Sequence, residues 1–154
     1  MGAYVSADLR RQVVTRAENL CEYCLIHEED TFFGCEVDHI ISRKHGGPTR
    51  ADNLSYACMT CNRNKGSDVG SILPPLSSGV FCRFFNPRTD AWSEHFALDE
   101  SDGITIATLT PVGEVTVRIF GFNGSERLLE RQALRDVDRY PTAQALRRIQ
   151  RATT

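Results

Sequence analysis

No stretch of this chain approaches the ~20 consecutive apolar residues that cross a bilayer, and the first twenty residues lack the apolar core of a secretory leader. A cytoplasmic location with no membrane contact is therefore expected. Charge of either sign is not in excess: the formal net charge is −2, too small to mark the whole chain as a polyanion binder. Internal repeats and low-complexity segments are absent. With 41% hydrophobic and 25% charged residues, the composition also excludes disorder, collagen-like structure and a coiled coil. The 154 residues suffice for one domain with a sizeable core, or a small module with an extension. What the chain has in quantity is cysteine, six residues in all. Without an export signal, they point to metal or catalysis rather than a disulfide framework.

The small total hides an uneven distribution. Residues 1–37 carry a balance of −4, residues 38–66 a balance of +3 and residues 67–154 a balance of −1. The central stretch owes its sign to Arg43, Lys44, Arg50, Arg63 and Lys65. A stretch of +3 suits either a solvated face or a surface for a polyanion.

Ser6 is placed to cap a first helix to about Asn19, with Leu9, Val13, Ala17 and Leu20 on one stripe. Residues 36–42 and 54–57 read as short strands, and residues 43–53 between them, holding Gly46-Gly47-Pro48, as a loop. Residues 59–66 read as a helix ending on Gly66. Residues 67–79 look like a connector between a core at residues 1–70 and an extension at residues 80–154. In that extension, residues 80–85 and 104–109 read as strands, with turn-rich sequence between them. Thr110-Pro111 fits a helix start, while Val115, Val117 and Ile119 alternate like a strand. Residues 125–140 and 142–151 read as helices. Trp92 and the phenylalanines are expected in the core.

Cys21-x-x-Cys24 and Cys58-x-x-Cys61 are two pairs with 33 residues between them. Each pair can aim two thiolates at one ion, and four thiolates close a tetrahedral Zn2+ site with no open position, hence a structural one. A redox role for one pair would need a thioredoxin-like βαβ context, which is missing. Cys35 and Cys82 remain and are expected to pack as small hydrophobes.

Between the pairs lie Val37-Asp38-His39-Ile40-Ile41, His45-Gly46-Gly47 and Ala51-Asp52-Asn53-Leu54. Directly after the last cysteine comes Asn62-Arg63-Asn64-Lys65-Gly66. In this order and spacing the segment from Cys21 to Gly66 resembles the HNH endonuclease family. Asn62 makes the triplet His-Asn-Asn rather than His-Asn-His, and an amide oxygen suits a hard cation. The resemblance implies an α+β fold, a ββα-metal core clipped by the four-cysteine site, with an N-terminal helix and a C-terminal α/β extension.

It also implies a hydrolase that cuts phosphodiesters in DNA, one strand per active site, with RNA an open alternative. His39 is then the general base, and Asp38 and Asn62 hold catalytic Mg2+ or Mn2+. Asn53 restrains the loop and orients the histidine. Lys65, Arg63, His45, Arg43 and Lys44 are the expected nucleic-acid contacts, with His45 equally suited to stabilising the loop. Cutting both strands calls for a homodimer or a partner protein. The alternative is a non-catalytic zinc module that binds nucleic acid, which gives no reason to hold Asp38, His39 and Asn62 together. The segment from Phe84 to Phe96, with Asp102-Gly103 and Phe122-Asn123, resembles an extension of many bacterial HNH proteins. Its Trp92 and His95 read as a packing module, with His95 as a further metal ligand the competing reading.

Overall fold

A computed structural model describes residues 4–151. Ser6 caps the first helix, α1 (Ala7–Ala17), by accepting a 3.1 Å hydrogen bond from the Leu9 amide. The helix stops two residues short of the expected Asn19 because Glu18 and Asn19 take left-handed backbone angles (φ 56° and 60°). Those angles turn the chain into the first cysteine pair. Val13 and Ala17 bury the expected stripe against Leu54 and Tyr56.

Strands β1 (Cys35–His39) and β2 (Leu54–Cys58) pair antiparallel, with Asp38 opposite Ser55 and His39 opposite Leu54. The ladder is shorter than the expected strand at residues 36–42. Beyond His39, the Ile40 amide still reaches the Asn53 carbonyl, but the Ile41 amide finds the Asn53 side chain instead. The intervening loop holds two short 3-10 turns, Arg43–His45 and Ala51–Asn53. Helix α2 (Met59–Lys65) follows β2 directly, capped by the Cys58 sulfur and ended by Gly66 at φ 54°.

The segment expected as a connector instead contributes β3 (Gly70–Ile72), paired antiparallel with β4 (Phe81–Arg83). Gly70 is required there, since a Cβ would meet the Cys82 carbonyl oxygen at 2.3 Å. Turn-rich residues 86–103 also hide a short helix and strand, α3 (Trp92–His95) and β5 (Phe96–Leu98). Strand β5 pairs with β6 (Ile106–Thr108). At Thr110 the helical reading prevails over the alternating valines. The threonine hydroxyl caps α4 (Pro111–Phe120), whose buried face carries Val115, Thr116 and Phe120. Helices α5 (Ser125–Asp136) and α6 (Ala143–Ile149) complete the chain, the latter capped by Thr142.

The result is a mixed α+β fold of helices and small antiparallel sheets around one main core. That core interleaves the cysteine-rich segment with the C-terminal half. The Phe120 ring lies 4.8 Å from Tyr23, 5.1 Å from Phe84 and 5.7 Å from Phe122, centroid to centroid. Trp92 is buried as expected and donates to the Tyr23 carbonyl at 2.8 Å. Three phenylalanines depart from the expectation: Phe32 (89% exposed), Phe33 and Phe81 lie at the surface. Phe32 and Phe33 sit on a loop with no element packed above it, and their rings contact each other instead. Cys35 and Cys82 are half-buried at the core's margin, and burial pushes the Cys35 thiol well above its ordinary range. No described helix is long and apolar enough to cross a membrane.

Candidate functional site

The two cysteine pairs reach one point in space from two local structures. The first follows the left-handed residues after α1, where the Cys21 amide donates to the Ile26 carbonyl and folds the turn back on itself. The second begins on the last residue of β2 and continues into the first turn of α2. The four sulfurs are buried and lie within 4.8 Å of one another. Tetrahedral zinc with bonds of about 2.3 Å sets sulfur–sulfur edges of about 3.8 Å, and Cys24 Sγ to Cys58 Sγ is 3.8 Å. The cluster therefore fits a closed, structural zinc site.

Sequence reasoning missed one feature of this centre. Arg127, on α5, brings its guanidinium to 3.7 Å from Cys58 Sγ and 3.9 Å from Cys61 Sγ. Four thiolates around a divalent ion leave two negative charges in a buried place, and this cation offsets part of that cost. Glu130 holds the guanidinium from the other side at 3.2 Å. The only hint in the sequence is the i, i+4 spacing of Arg127 and Arg131 on one helix face, a pattern that normally marks a solvated surface.

Asp38 and His39 stand at the end of β1 and face different partners. Asp38 meets α2, where Lys65 Nζ lies 3.1 Å from its carboxylate. Burial raises the Asp38 pKa despite this ammonium. The Lys65 ammonium meets the carboxylate at Oδ2, which is buried. Lys65 is itself buried, at 2% exposure, and donates to the His39 carbonyl at 2.9 Å. From the sequence it is expected to contact phosphate beside the metal. The fold instead places it under the strand, where a carboxylate and a carbonyl hold it.

His39 faces the loop, and its Nε2 lies 2.9 Å from Thr49 Oγ1, a partner no sequence signal identified. Burial lowers the His39 pKa, reinforced by Arg43 and Lys65 and opposed by Asp38. The ring is thus biased towards neutrality. Asn53, at 6% exposure, spends its whole amide on the loop. Its Oδ1 accepts from the Ile41 amide at 2.9 Å, and its Nδ2 donates to the carbonyls of Ile41 (3.0 Å) and Pro48 (2.9 Å). Gly47 makes that closure possible, because a Cβ there would stand 1.7 Å from the Ile41 oxygen.

Asn62, half-buried on α2, contacts Glu36 on β1 through its Nδ2 at 3.4 Å. Helix α2 is therefore tied to β1 at two points, Asn62 to Glu36 and Lys65 to Asp38. Arg43, Lys44 and His45 share one exposed turn, and Arg63 is exposed on α2. His95 is buried, with Nδ1 2.6 Å from Thr110 Oγ1, and packs against Phe85 and Phe96. Among the described residues, the four cysteines are the cluster of three or more His, Cys, Asp or Glu ligands gathered around one point, and His95 lies outside it.

Residues 21–68 match the family model for HNH endonuclease. That stretch contains the four clustered cysteines together with Asp38, His39, Asn53 and Asn62. A search of the curated proteins found no match.

Proposed function

We propose that the chain is a divalent-metal-dependent HNH endonuclease that hydrolyses phosphodiester bonds in DNA, with β1, β2 and α2 as its ββα-metal core. The observation carrying this reading is the placement of Asp38 and His39 side by side at the end of β1. There they are backed by α2 and by the loop that Asn53 closes, inside the segment that matches the family.

His39 takes the proton of the attacking water. In the tautomer whose Nε2–H donates to Thr49 Oγ1, Nδ1 is the accepting nitrogen, and burial favours the neutral imidazole. The water oxygen attacks phosphorus as its proton passes to Nδ1. The bond from phosphorus to the leaving sugar oxygen breaks, and that oxygen is protonated from solvent.

Asp38 and Asn62 offer oxygen donors, a carboxylate and an amide carbonyl, which suit a hard cation such as Mg2+ or Mn2+. Bound there, the ion supplies charge neutralisation at the phosphate and the leaving oxygen. Lys65 holds the Asp38 carboxylate and the His39 carbonyl in one place, acting as a positioning residue. Asn53 fixes the path of the loop that carries Thr49. Arg43, Lys44, His45 and Arg63 are exposed to meet the strand. One such centre cuts one strand, so double-strand cleavage calls for a second copy or a partner.

The test is nicking of supercoiled plasmid by purified protein with Mg2+ or Mn2+. The parent converts plasmid to the open-circular form, and His39→Ala reduces the rate by about a hundredfold or more. Equal nicking by His39→Ala overturns the assignment of the base. DNA binding with no cleavage under either metal favours a non-catalytic zinc module that binds nucleic acid.

A further inference from the structure

Away from Asp38 and His39, the fold forms an open-mouthed cavity of about 360 Å3 whose walls include five arginines: Arg16, Arg88, Arg147, Arg148 and Arg151. They come from α1, the segment before α3, α6 and, two residues past its end, Arg151. No lysine lines this space. Guanidinium is the group that grips phosphate oxygens in pairs, which an ammonium cannot do.

Three carboxylates share the cavity, and the geometry shows how far they neutralise it. Glu18 pairs with Arg147 at 2.6 Å and with Arg148 at 3.6 Å. Glu22 pairs with Arg88 and lies 3.7 Å from Arg148, and its other oxygen accepts from the Tyr56 amide at 2.9 Å. Asp90 is already held by Arg83, at 2.7 Å and 3.1 Å. Two carboxylates therefore answer five cations. Arg16 and Arg151 form no ion pair among the described residues.

Arg16 Nη2 donates to the Leu54 carbonyl, and Arg16 Nε, Arg88 Nε and Arg88 Nη1 are buried behind the cavity wall. The excess of cations over carboxylates along the wall calls for an anion with several acceptor oxygens.

We propose that this cavity is a binding site for a phosphate ester, the phosphate of a free nucleotide or of a nucleic-acid strand. Its walls include none of Asp38, His39, Asn53 or Asn62, so it stands independently of the nuclease reading.

The site carries its own reporter. Trp92 is the chain's one tryptophan, and it lines the cavity. Trp92 fluorescence is titrated with inorganic phosphate, with deoxyadenosine monophosphate and with a short DNA duplex, using sodium acetate at equal ionic strength as control. The expected result is a saturable change with phosphate that acetate does not reproduce. Saturation by the nucleotide at lower phosphate concentration than the duplex identifies a free nucleotide, and the reverse identifies a strand. Arg88→Gln weakens binding about tenfold or more. Because Arg88 also holds buried Glu22, the exposed pair is tested separately. The Arg147→Gln, Arg151→Gln double variant keeps the fold and weakens binding by roughly twofold to fivefold per arginine. His39→Ala leaves the titration unchanged. No saturable change with any of the three ligands up to about tenfold the usual millimolar range of weak sites overturns the proposal. So does a double variant that folds and binds like the parent, or acetate acting as well as phosphate.

Discussion

Replacing Asn53 tests whether the loop is held by one side chain. Its amide makes three hydrogen bonds of 2.9 Å, 3.0 Å and 2.9 Å while nearly excluded from water. Asn53→Ala leaves the Ile41 amide without an acceptor and two carbonyls without a donor. At about 1 kcal/mol for each bond and a further 1–2 kcal/mol for the stranded amide, the loss is roughly 3–5 kcal/mol. For a chain of this size that lowers the melting temperature by about 10 °C or more. Asn53→Asp sharpens the reasoning. The carboxylate can still accept from Ile41, but its second oxygen then faces two carbonyl oxygens where a donor belonged. At neutral pH it is therefore at least as destabilising as alanine. Urea unfolding at fixed zinc, followed by far-UV circular dichroism, measures both variants against the parent. A loss below about 1 kcal/mol for alanine, or an aspartate variant more stable than alanine at pH 7, refutes the clamp.

Gly47→Ala must displace the Ile41 carbonyl, 1.7 Å from the new Cβ, and is expected to destabilise at least as much as Asn53→Ala in the same unfolding assay. Purified protein is expected to hold one zinc per chain by metal analysis, and Arg127→Met to lower zinc affinity about 10–100-fold in a chelator competition. Lys65→Met leaves Asp38 with no cation beside it and costs about 3–5 kcal/mol. If Asp38 holds a divalent ion, magnesium raises the melting temperature of that variant more than that of the parent. Arg83 and the Asn86 amide outweigh burial and hold the Asp90 carboxyl below its usual range. The stability this gives is present above the unfolded value and lost as pH falls through the folded one. Asp90→Asn is therefore expected to flatten the acid limb of the stability curve below about pH 4.

What could be read from the chain beforehand was what local chemistry decides. Ser6, Thr110 and Thr142 cap helices because a side-chain oxygen near a free amide needs no tertiary partner. The spacing of the cysteines carried the metal cluster for a similar reason: two thiolates per turn are a local arrangement. What stayed hidden depends on neighbours distant in sequence. Lysine is among the residues least often buried, and only the approach of α2 to β1 puts Lys65 beneath Asp38. On α5, Arg127 and Arg131 are buried while Leu129 is exposed, the reverse of what hydropathy suggests. The thiolates and the Ile104 carbonyl, which accepts from Arg131 at 2.6 Å, reward charge on that face. Strands β3 and β5 are three residues each, too short for alternation to register, while their partners β4 and β6 are legible within the longer runs 80–85 and 104–109.

The reach of Arg127 to the thiolates sets an order of assembly on the ribosome. When residues 21–68 have emerged, the nascent chain holds every cysteine ligand and every candidate catalytic group. It still lacks Phe84 and Phe120, against which Tyr23 and its neighbours pack, and the cation that offsets the thiolate charge. Phe120 and Arg127 arrive only with α4 and α5, after residue 111 of 154. The thiolate cluster therefore gains its neutralising cation late in translation, when most of the chain has been made.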